Sequence, residues 1–290
     1  MLHAFVVVAV SLALLYVGLV ALLWRFQEHV VFQPPSFPGY SDVAARKVEY
    51  RSEDGIDLFG YVVGDCRASA PVVLAFHGNA DLARWLVPWA AQLVRETGAC
   101  ILIPEYRGYD GLGGAPTYVG SAYDARAALS FARESLNASP RQLVYFGHSL
   151  GSAIAAELAS SEPPAGLVLQ APFSSARAMS RRLAVPWVTA FWRFISRVHF
   201  DTTACVSGLD APVWVSHGDA DRVIPVSMGR EVFAAARVRG ELLIVSGADH
   251  NNIEEMGGRA YWRWLADAVL GRQQIDSASL AARGETRSAP

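Results

Sequence analysis

The chain has 290 residues, of which 52% are apolar, and a formal net charge of −2. This composition excludes global disorder and allows a substantial core in one large domain or two smaller ones. The near-neutral charge gives no reason to expect a nucleic-acid partner, because phosphate binding needs a basic face.

The N-terminal segment is the first predicted element. Residues 4–24 are apolar and uncharged, and about 20 helical residues cross a bilayer core. We predict an uncleaved transmembrane anchor over residues 1–25. A cleaved signal peptide fits less well, since the apolar run is too long and has no basic region before it. A buried core helix fits poorly, because the segment is apolar on every face.

The charges that flank this segment indicate on which side of the membrane the domain lies. Arg25, Arg46 and Lys47 follow it, whereas only His3 and the α-amino group precede it. The positive-inside rule then places the domain in the cytoplasm, although on few charges. Lys47 is the only lysine, a bias typical of a GC-rich bacterial genome, so the membrane is expected to be a bacterial inner membrane.

Three further regions follow the anchor. Residues 26–45 are proline-rich and predict a linker, because proline disfavours regular helix and central strand. Residues 46–271 form the predicted domain. Residues 272–290 are polar and rich in small residues, and we expect a disordered tail.

The domain alternates between strand-like and helix-like runs. RKVEY and DLFGYVV are separated by a turn at Asp54 and Gly55, which predicts an antiparallel pair. The runs VVLAFH, CILIPEY, LVYFG, LVLQA, VWVSH and LLIVS are apolar without alternation, as in strands buried on both faces. The pattern predicts an α/β fold with about eight strands, mostly parallel, and helices on both faces.

The cysteines give no metal or disulfide pattern. Cys66, Cys100 and Cys205 lie far apart and lack metal-ligand spacing. We expect no disulfide framework, with a single bridge as the open alternative. Cys100 lies in CILI and is expected to be a small buried hydrophobic residue.

Residues 173–209 interrupt the strand–helix alternation. One interpretation is a helix packed on the sheet edge. The one we favour is a short helical cap whose aromatic side chains line an apolar pocket. Its candidate aromatic residues are Trp187, Phe191, Trp192, Phe194 and Phe200.

The strongest chemical signal is GHSLG. It follows a buried strand and opens a helix, which is the context of a nucleophile elbow around Ser149. Gly147 and Gly151 satisfy the need for small residues in this tight turn. The helix N-terminus favours negative charge, and the backbone N–H of Leu150 is a candidate oxyanion donor.

A serine nucleophile needs a base. His250 follows the last strand, where a base on the carboxyl edge of the sheet is expected. His199 is the second candidate. His77 and His217 end strands and are expected to organise turns, and His148 is expected to point away from the site.

The third member is an acid that orients the imidazole. In this fold the chain order is serine, acid, histidine, and Asp221 obeys it. Asp219 is the alternative and is expected to form a turn. Asp249 adjoins the histidine and is a poor orienting group.

The second oxyanion donor is expected in the loop HGNAD after the first central strand. The backbone N–H of Asn79 is favoured, with that of Ala80 as the alternative. Gly78 allows a close approach of the backbone.

Several motifs together carry a family resemblance: an apolar N-terminus followed by FQ and Pro, HGNA, PEYRGYDGLGGAPT, GHSLGSAIAAELA, APFSS, HGDADRVIP and GADHNN. Over most of residues 24–270 the chain resembles the α/β-hydrolase superfamily and, within it, the membrane-anchored Bem46-like group, also described as alpha/beta hydrolase domain-containing protein 13-like. The resemblance implies the triad Ser149, Asp221 and His250 and a small helical cap. The chain departs from related sequences in the loops DGLGGAP and HGNAD, and these differences bear on the shape of the acyl pocket.

The sequence therefore predicts a serine hydrolase that cleaves carboxylic esters or thioesters through an acyl-enzyme, with a small-molecule or lipid-like acyl substrate. A serine peptidase on the same fold and a non-catalytic membrane scaffold are the alternatives. No metal spacing or dinucleotide fingerprint stands out, and serine chemistry needs no cofactor. The sequence leaves the oligomeric state open.

Overall fold

The computed structural model describes residues 1–36, 43–183 and 196–272. The predicted tail from residue 273 onward lies outside the described residues, as does the middle of the predicted linker. Four aromatic residues of the predicted cap also lie outside them: Trp187, Phe191, Trp192 and Phe194.

One eight-stranded sheet organises the domain, in the order β1-β2-β4-β3-β5-β6-β7-β8. β2 runs antiparallel to both of its neighbours, and the pairs from β4 to β8 are parallel. The predicted mostly parallel sheet is confirmed. The strands are β1 Arg46–Arg51, β2 Asp57–Val63, β3 Val72–Phe76, β4 Cys100–Pro104, β5 Leu143–His148, β6 Gly166–Gln170, β7 Val213–Gly218 and β8 Arg239–Val245.

Helices cover both faces of this sheet, as predicted. Side chains of α3, α4, α6 and α7 share one buried cluster, and those of α2 and α8 share the other. A short 3-10 helix, Ala83–Leu86, precedes α2. The α-helices are α1 Leu2–Val31, α2 Val87–Thr97, α3 Tyr118–Ser135, α4 Leu150–Ser161, α5 Ala176–Leu183, α6 Thr202–Ser207, α7 Val226–Ala235 and α8 Ile253–Val269.

β3 shows why the apolar runs do not alternate with polar residues. Val72, Leu74 and Phe76 point into one cluster, whereas Val73 and Ala75 point into the other. Successive strand side chains face opposite sides, so a strand covered on both faces must be apolar throughout. The central strands are therefore fixed in the sheet by burial on both sides.

α1 is longer than the predicted anchor. Its segment His3–Leu22 is long and apolar enough to cross a membrane and is unburied within the chain. The helix continues past Arg25 to Val31, into the region predicted as a linker. Phe32 is only 2% exposed and belongs to the domain core. The start of the predicted linker is thus helix and packed chain.

Cys66 and Cys100 form a disulfide, with their Cα atoms 4.8 Å apart. The expectation that Cys100 is simply a small buried hydrophobic residue is wrong, although the residue is buried as predicted. The pairing depends on the antiparallel placement of β2 beside β4, which brings the segment after β2 to the start of β4. Cys205 is free and partly buried.

Candidate active site

Ser149 occupies a strained turn between β5 and α4. Its φ of 53° and ψ of −115° are rare for a residue with a side chain. A Cβ on Gly147 would lie 2.2 Å from the Gly151 carbonyl oxygen, and one on Gly151 would lie 2.2 Å from that of Phe76. The turn therefore needs glycine at both positions, as the elbow motif predicted.

Ser149, His250 and Asp221 lie in one hydrogen-bonded chain. Ser149 Oγ is 2.9 Å from His250 Nε2, and His250 Nδ1 is 2.7 Å from Asp221 Oδ2. A carboxylate only accepts, so Nδ1 carries the proton and Nε2 is free to accept from the serine hydroxyl. Ser149 and His250 are 9% and 8% exposed, so little water competes for these bonds.

Asp221 is held as an anion by four donors. Its Oδ1 accepts from the backbone N–H groups of Val223 and Ile224, each at 2.8 Å. Its Oδ2 is also 3.2 Å from His217 Nε2. Burial alone would raise the pKa of Asp221, but the hydrogen bonds from His217 and His250 hold that pKa well below its usual range. The carboxylate is therefore charged at neutral pH.

The alternatives to this acid and this base lie elsewhere. Asp219 accepts a 2.6 Å hydrogen bond from the Gly247 N–H, and Asp249 bonds to nearby backbone. His199 is exposed, with its ring edge on against Tyr118 at 5.8 Å. Among the predicted candidates, the structure brings only Asp221 and His250 to Ser149.

Two backbone donors are available beside Ser149. Leu150 is the first residue of α4, and Asn79 lines the cavity that contains Ser149. In the part of the chain that the structure describes, neither backbone N–H makes an intramolecular hydrogen bond. Both are thus free to donate to an oxyanion. Asn79 uses its side chain separately, since its Oδ1 accepts from the Gln33 N–H at 2.8 Å and from the Tyr109 hydroxyl at 2.9 Å.

His148 contacts the site, and the expectation that it points away is wrong. Its Nε2–H donates to the His250 carbonyl oxygen at 3.1 Å, and the two rings lie 5.1 Å apart. Burial, and after it the charge of His250, lowers the pKa of His148 to about 4. A neutral His148 therefore braces the loop that carries the base. Its position inside the elbow gave no signal of this contact.

A buried ion pair supports the loop around Asn79. His77 Nε2 lies 2.8 Å from Glu105 Oε1, and His77 Nδ1 lies 2.9 Å from the Gly78 carbonyl oxygen. Both ring nitrogens face acceptors, so both carry protons and the ring is charged. Burial opposes this charge, but the neighbouring carboxylate raises the pKa of His77. The other Glu105 oxygen accepts from the Ala83 N–H at 3.0 Å. Sequence reasoning missed Glu105, whose only signal was its place in PEYRGYDG.

The cavity at Ser149 has a volume of about 420 Å³ and one apolar wall. Trp85, Trp89 and Phe146 form much of this wall, with the last two rings 4.3 Å apart. Asp81 and Glu254 also line the cavity, and burial raises the pKa of both carboxyl groups.

The described part of the predicted cap does not supply this wall. Phe200 packs against Phe32 and Tyr118, with ring centroids 6.4 and 4.9 Å apart, and it is not among the residues that line the cavity. Among the described residues, the 3-10 helix, α2 and β5 supply the apolar wall.

Residues 67–207 match a family described as "Serine aminopeptidase, S33". The uncharacterized protein Rv2307c of Mycobacterium tuberculosis is 34% identical over 93% of this chain and 98% of its own length. The protein bem46 of Schizosaccharomyces pombe is 26% identical over 74% of this chain and 77% of its own. The chain belongs to the α/β-hydrolase family. The predicted resemblance of this hydrolase to the Bem46-like group is confirmed.

A solved structure shares the fold of the chain. The Pyrococcus furiosus esterase Pf2001 matches with a TM-score of 0.65 and 19% identity, over 84% of this hydrolase and 97% of the esterase. At that identity the likeness shows the fold alone. The sheet order of the chain describes the same fold.

Proposed function

We propose that this α/β-hydrolase cleaves carboxylic ester or thioester bonds through an acyl-enzyme on Ser149. The observation that carries the proposal is the hydrogen-bonded chain from the Ser149 hydroxyl through His250 to Asp221. A serine hydroxyl is a weak nucleophile, and a neutral imidazole whose other nitrogen is bound to a carboxylate is the base that activates it.

The acylation step follows from this geometry. Ser149 Oγ attacks the carbonyl carbon while its proton passes to His250 Nε2. The carbonyl oxygen becomes an oxyanion that accepts from the backbone N–H groups of Leu150 and Asn79. Collapse of this intermediate breaks the bond to the alcohol or thiol, which leaves with the proton from His250. The charged imidazole is stabilised meanwhile by Asp221.

Deacylation uses the same groups with water as the nucleophile. Water attacks the acyl carbonyl and gives a proton to His250. Ser149 Oγ then leaves and recovers that proton, and the carboxylic acid is released. The enzyme returns to its starting protonation state, so no cofactor is needed to balance the cycle.

A lipid-like acyl substrate is the class that the surroundings favour. The apolar wall formed by Trp85, Trp89 and Phe146 suits an acyl chain. α1 runs without interruption from its apolar span, which ends at Leu22, to Val31. At a rise of 1.5 Å per residue this distance is about 14 Å, so the catalytic domain stays close to the membrane surface if α1 crosses it.

The test is labelling with a fluorophosphonate probe together with hydrolysis of short nitrophenyl esters. Wild type is expected to be labelled and active, and Ser149→Ala to be neither. Ser160→Ala, at the exposed end of the same helix, is the matched control and should behave as wild type. Equal labelling of wild type and Ser149→Ala would leave the non-catalytic scaffold as the better description.

Amide hydrolysis is the second candidate, because the matched family is described as a serine aminopeptidase. Nitrophenyl esters and nitroanilides with the same acyl group separate the two. Faster Ser149-dependent turnover of the anilide, relative to its uncatalysed rate, would favour the peptidase.

We further propose that the catalytic domain faces an oxidising compartment. The Cys66–Cys100 disulfide supports this, since disulfides persist outside the cytosol and are rare within it. This is the opposite side of the membrane from the cytoplasmic side, which the three basic residues after the anchor favour. In cells lysed without reductant, a maleimide reagent should modify Cys205 alone. Modification of all three cysteines would restore the cytoplasmic side.

A further inference from the structure

The end of the membrane helix is built into the catalytic domain. Glu28 accepts from the Tyr118 N–H at 3.3 Å and lies 3.4 Å from the Arg197 guanidinium. Gln27 accepts from the Arg197 N–H at 2.7 Å. Phe32 is buried against Phe200. These contacts fix the last turn of α1 and the residue after it to the domain.

The next residue reaches the loop of the proposed oxyanion site. The chain is extended at Phe32, with φ −103° and ψ 115°, and the Gln33 N–H then donates to Asn79 Oδ1 at 2.8 Å. The Tyr109 hydroxyl donates to the same oxygen at 2.9 Å. An amide oxygen has two lone pairs, so these two donors use the full capacity of Asn79 Oδ1.

This bond bears on catalysis through the backbone of Asn79. The loop is tightly bent, since the next residue, Ala80, has a φ of +53°. An oxyanion donor acts only within about 2.7–3.1 Å of the developing charge, and a misplacement of about 1 Å can lower the rate 100-fold. The direction of the Asn79 N–H therefore depends on how its side chain is held.

We infer that the backbone N–H of Gln33, at the end of the membrane anchor, positions the oxyanion loop by holding the Asn79 side chain. Gln33 is a positioning residue, and this inference rests on the proposed function. The anchor thus supports the active site in addition to holding the domain at a membrane. The Gln33 side chain has no part in it, because its Nε2 donates to the Val30 carbonyl oxygen instead.

One position allows a matched pair of variants. Gln33→Pro removes the N–H, and the extended conformation at Phe32 is the one that a residue before proline adopts. Gln33→Ala keeps the N–H and removes only the side chain. Both are made in the full chain, purified in the same detergent and assayed with a nitrophenyl ester.

Gln33→Pro is expected to lower kcat by between tenfold and 100-fold, about the effect of a misplaced donor, with KM within about threefold. Gln33→Ala is expected to keep kcat within about twofold, and both variants should keep the unfolding temperature within a few degrees. A change in KM with no change in kcat would overturn the inference. An equal loss of kcat in the two variants would overturn it as well.

A double-variant cycle separates positioning from general damage. Asn79→Ala removes the acceptor but keeps the backbone N–H of residue 79. If both changes act through one hydrogen bond, the double variant Gln33→Pro, Asn79→Ala should be no slower than the slower single variant. A loss of kcat in the double variant equal to the product of the two single losses would contradict the inference. If wild type has no Ser149-dependent turnover, the proposed function fails as well, whereas normal kcat in Gln33→Pro overturns only the role of the anchor.

Discussion

The two sides of Ser149 are built differently. On the triad side, the base and the acid stand on loops directly after β8 and β7, and Asp221 accepts from two backbone N–H groups of its own loop. On the oxyanion side, the loop after β3 depends on partners far away in the chain: Gln33, Glu105 and Tyr109. The acid is thus held partly within its own loop, whereas the oxyanion loop is held by residues from other parts of the chain.

This difference decides what a sequence can reveal. Local motifs can be read directly, because a strand, a tight turn and a helix fix the side chain between them. Support from distant residues becomes visible only when the sheet and α1 are in place. Variants on each side of Ser149 test this contrast.

Asp221→Asn tests the triad side. An amide in place of the carboxylate favours the wrong tautomer of His250, so kcat should fall by about 10⁴-fold with little change in stability. The measurement is the steady-state rate of ester hydrolysis. Asp219→Asn, in the adjoining turn, is the control and should remain within about threefold of wild type. A comparable loss in Asp219→Asn would show that the loop, not the carboxylate, is responsible.

Cys66→Ser tests the oxyanion side through the disulfide that brackets it. The bridge closes a segment with a sequence separation of 34 residues, which includes β3 and the loop around Asn79. Its loss should reduce the free energy of unfolding by about 3–4 kcal/mol. Urea unfolding in detergent measures this.

Cys205→Ser is the matched control for the disulfide, because Cys205 is free. It should unfold at nearly the wild-type urea concentration. If dithiothreitol leaves the wild-type midpoint unchanged, the bridge does not contribute to stability as described.

Glu105→Gln tests the buried pair that supports the oxyanion loop. Loss of the carboxylate leaves His77 without its counter-charge, and the free energy of unfolding should fall by about 3 kcal/mol. Glu49→Gln, on the exposed side of β1, should change it by less than about 0.5 kcal/mol. Urea unfolding of both variants in one detergent checks this.

The same pair predicts a dependence on pH. The folded-state pKa of His77 is raised, so its stabilising contribution is complete below the unfolded pKa and is lost as pH rises through the folded value. The stability advantage of wild type over Glu105→Gln should therefore shrink toward alkaline pH. An advantage that does not change with pH would mean that the imidazole is neutral in the folded state.

His148→Gln is expected to give the smallest effect. The folded-state pKa of His148 is lowered to about 4, so its contribution is present above the unfolded pKa and is lost as pH falls toward the folded one. Between pH 7 and pH 5, wild type should lose on the order of 1 kcal/mol more stability than His148→Gln. Thermal unfolding at several pH values would show parallel curves if His148 were charged in the folded state.

Much of the fold followed from the sequence for clear reasons. The central runs are apolar without alternation because both faces of the sheet are covered, and β3 contributes to both buried clusters. The elbow was predictable because Gly147 and Gly151 leave no space for a Cβ. Ser149, His250 and Asp221 lie within hydrogen-bond distance in that order.

The features that the sequence did not reveal depend on contacts between residues that are far apart in the chain. The Cys66–Cys100 bridge needs β2 and β4 side by side, so spacing alone could not indicate it. The packed end of α1 was hidden by a proline-rich pattern typical of linkers. The role of His148 depends on a carbonyl oxygen 102 residues away.

The most direct measurement is the location of the acyl group during turnover. Wild-type protein is mixed with a nitrophenyl ester, quenched with acid within one turnover, digested and analysed by mass spectrometry. We expect an acyl group on Ser149, in the peptide that contains GHSLG, and none in Ser149→Ala. Steady ester hydrolysis with the acyl group on another residue, or an equal rate in Ser149→Ala, would contradict it.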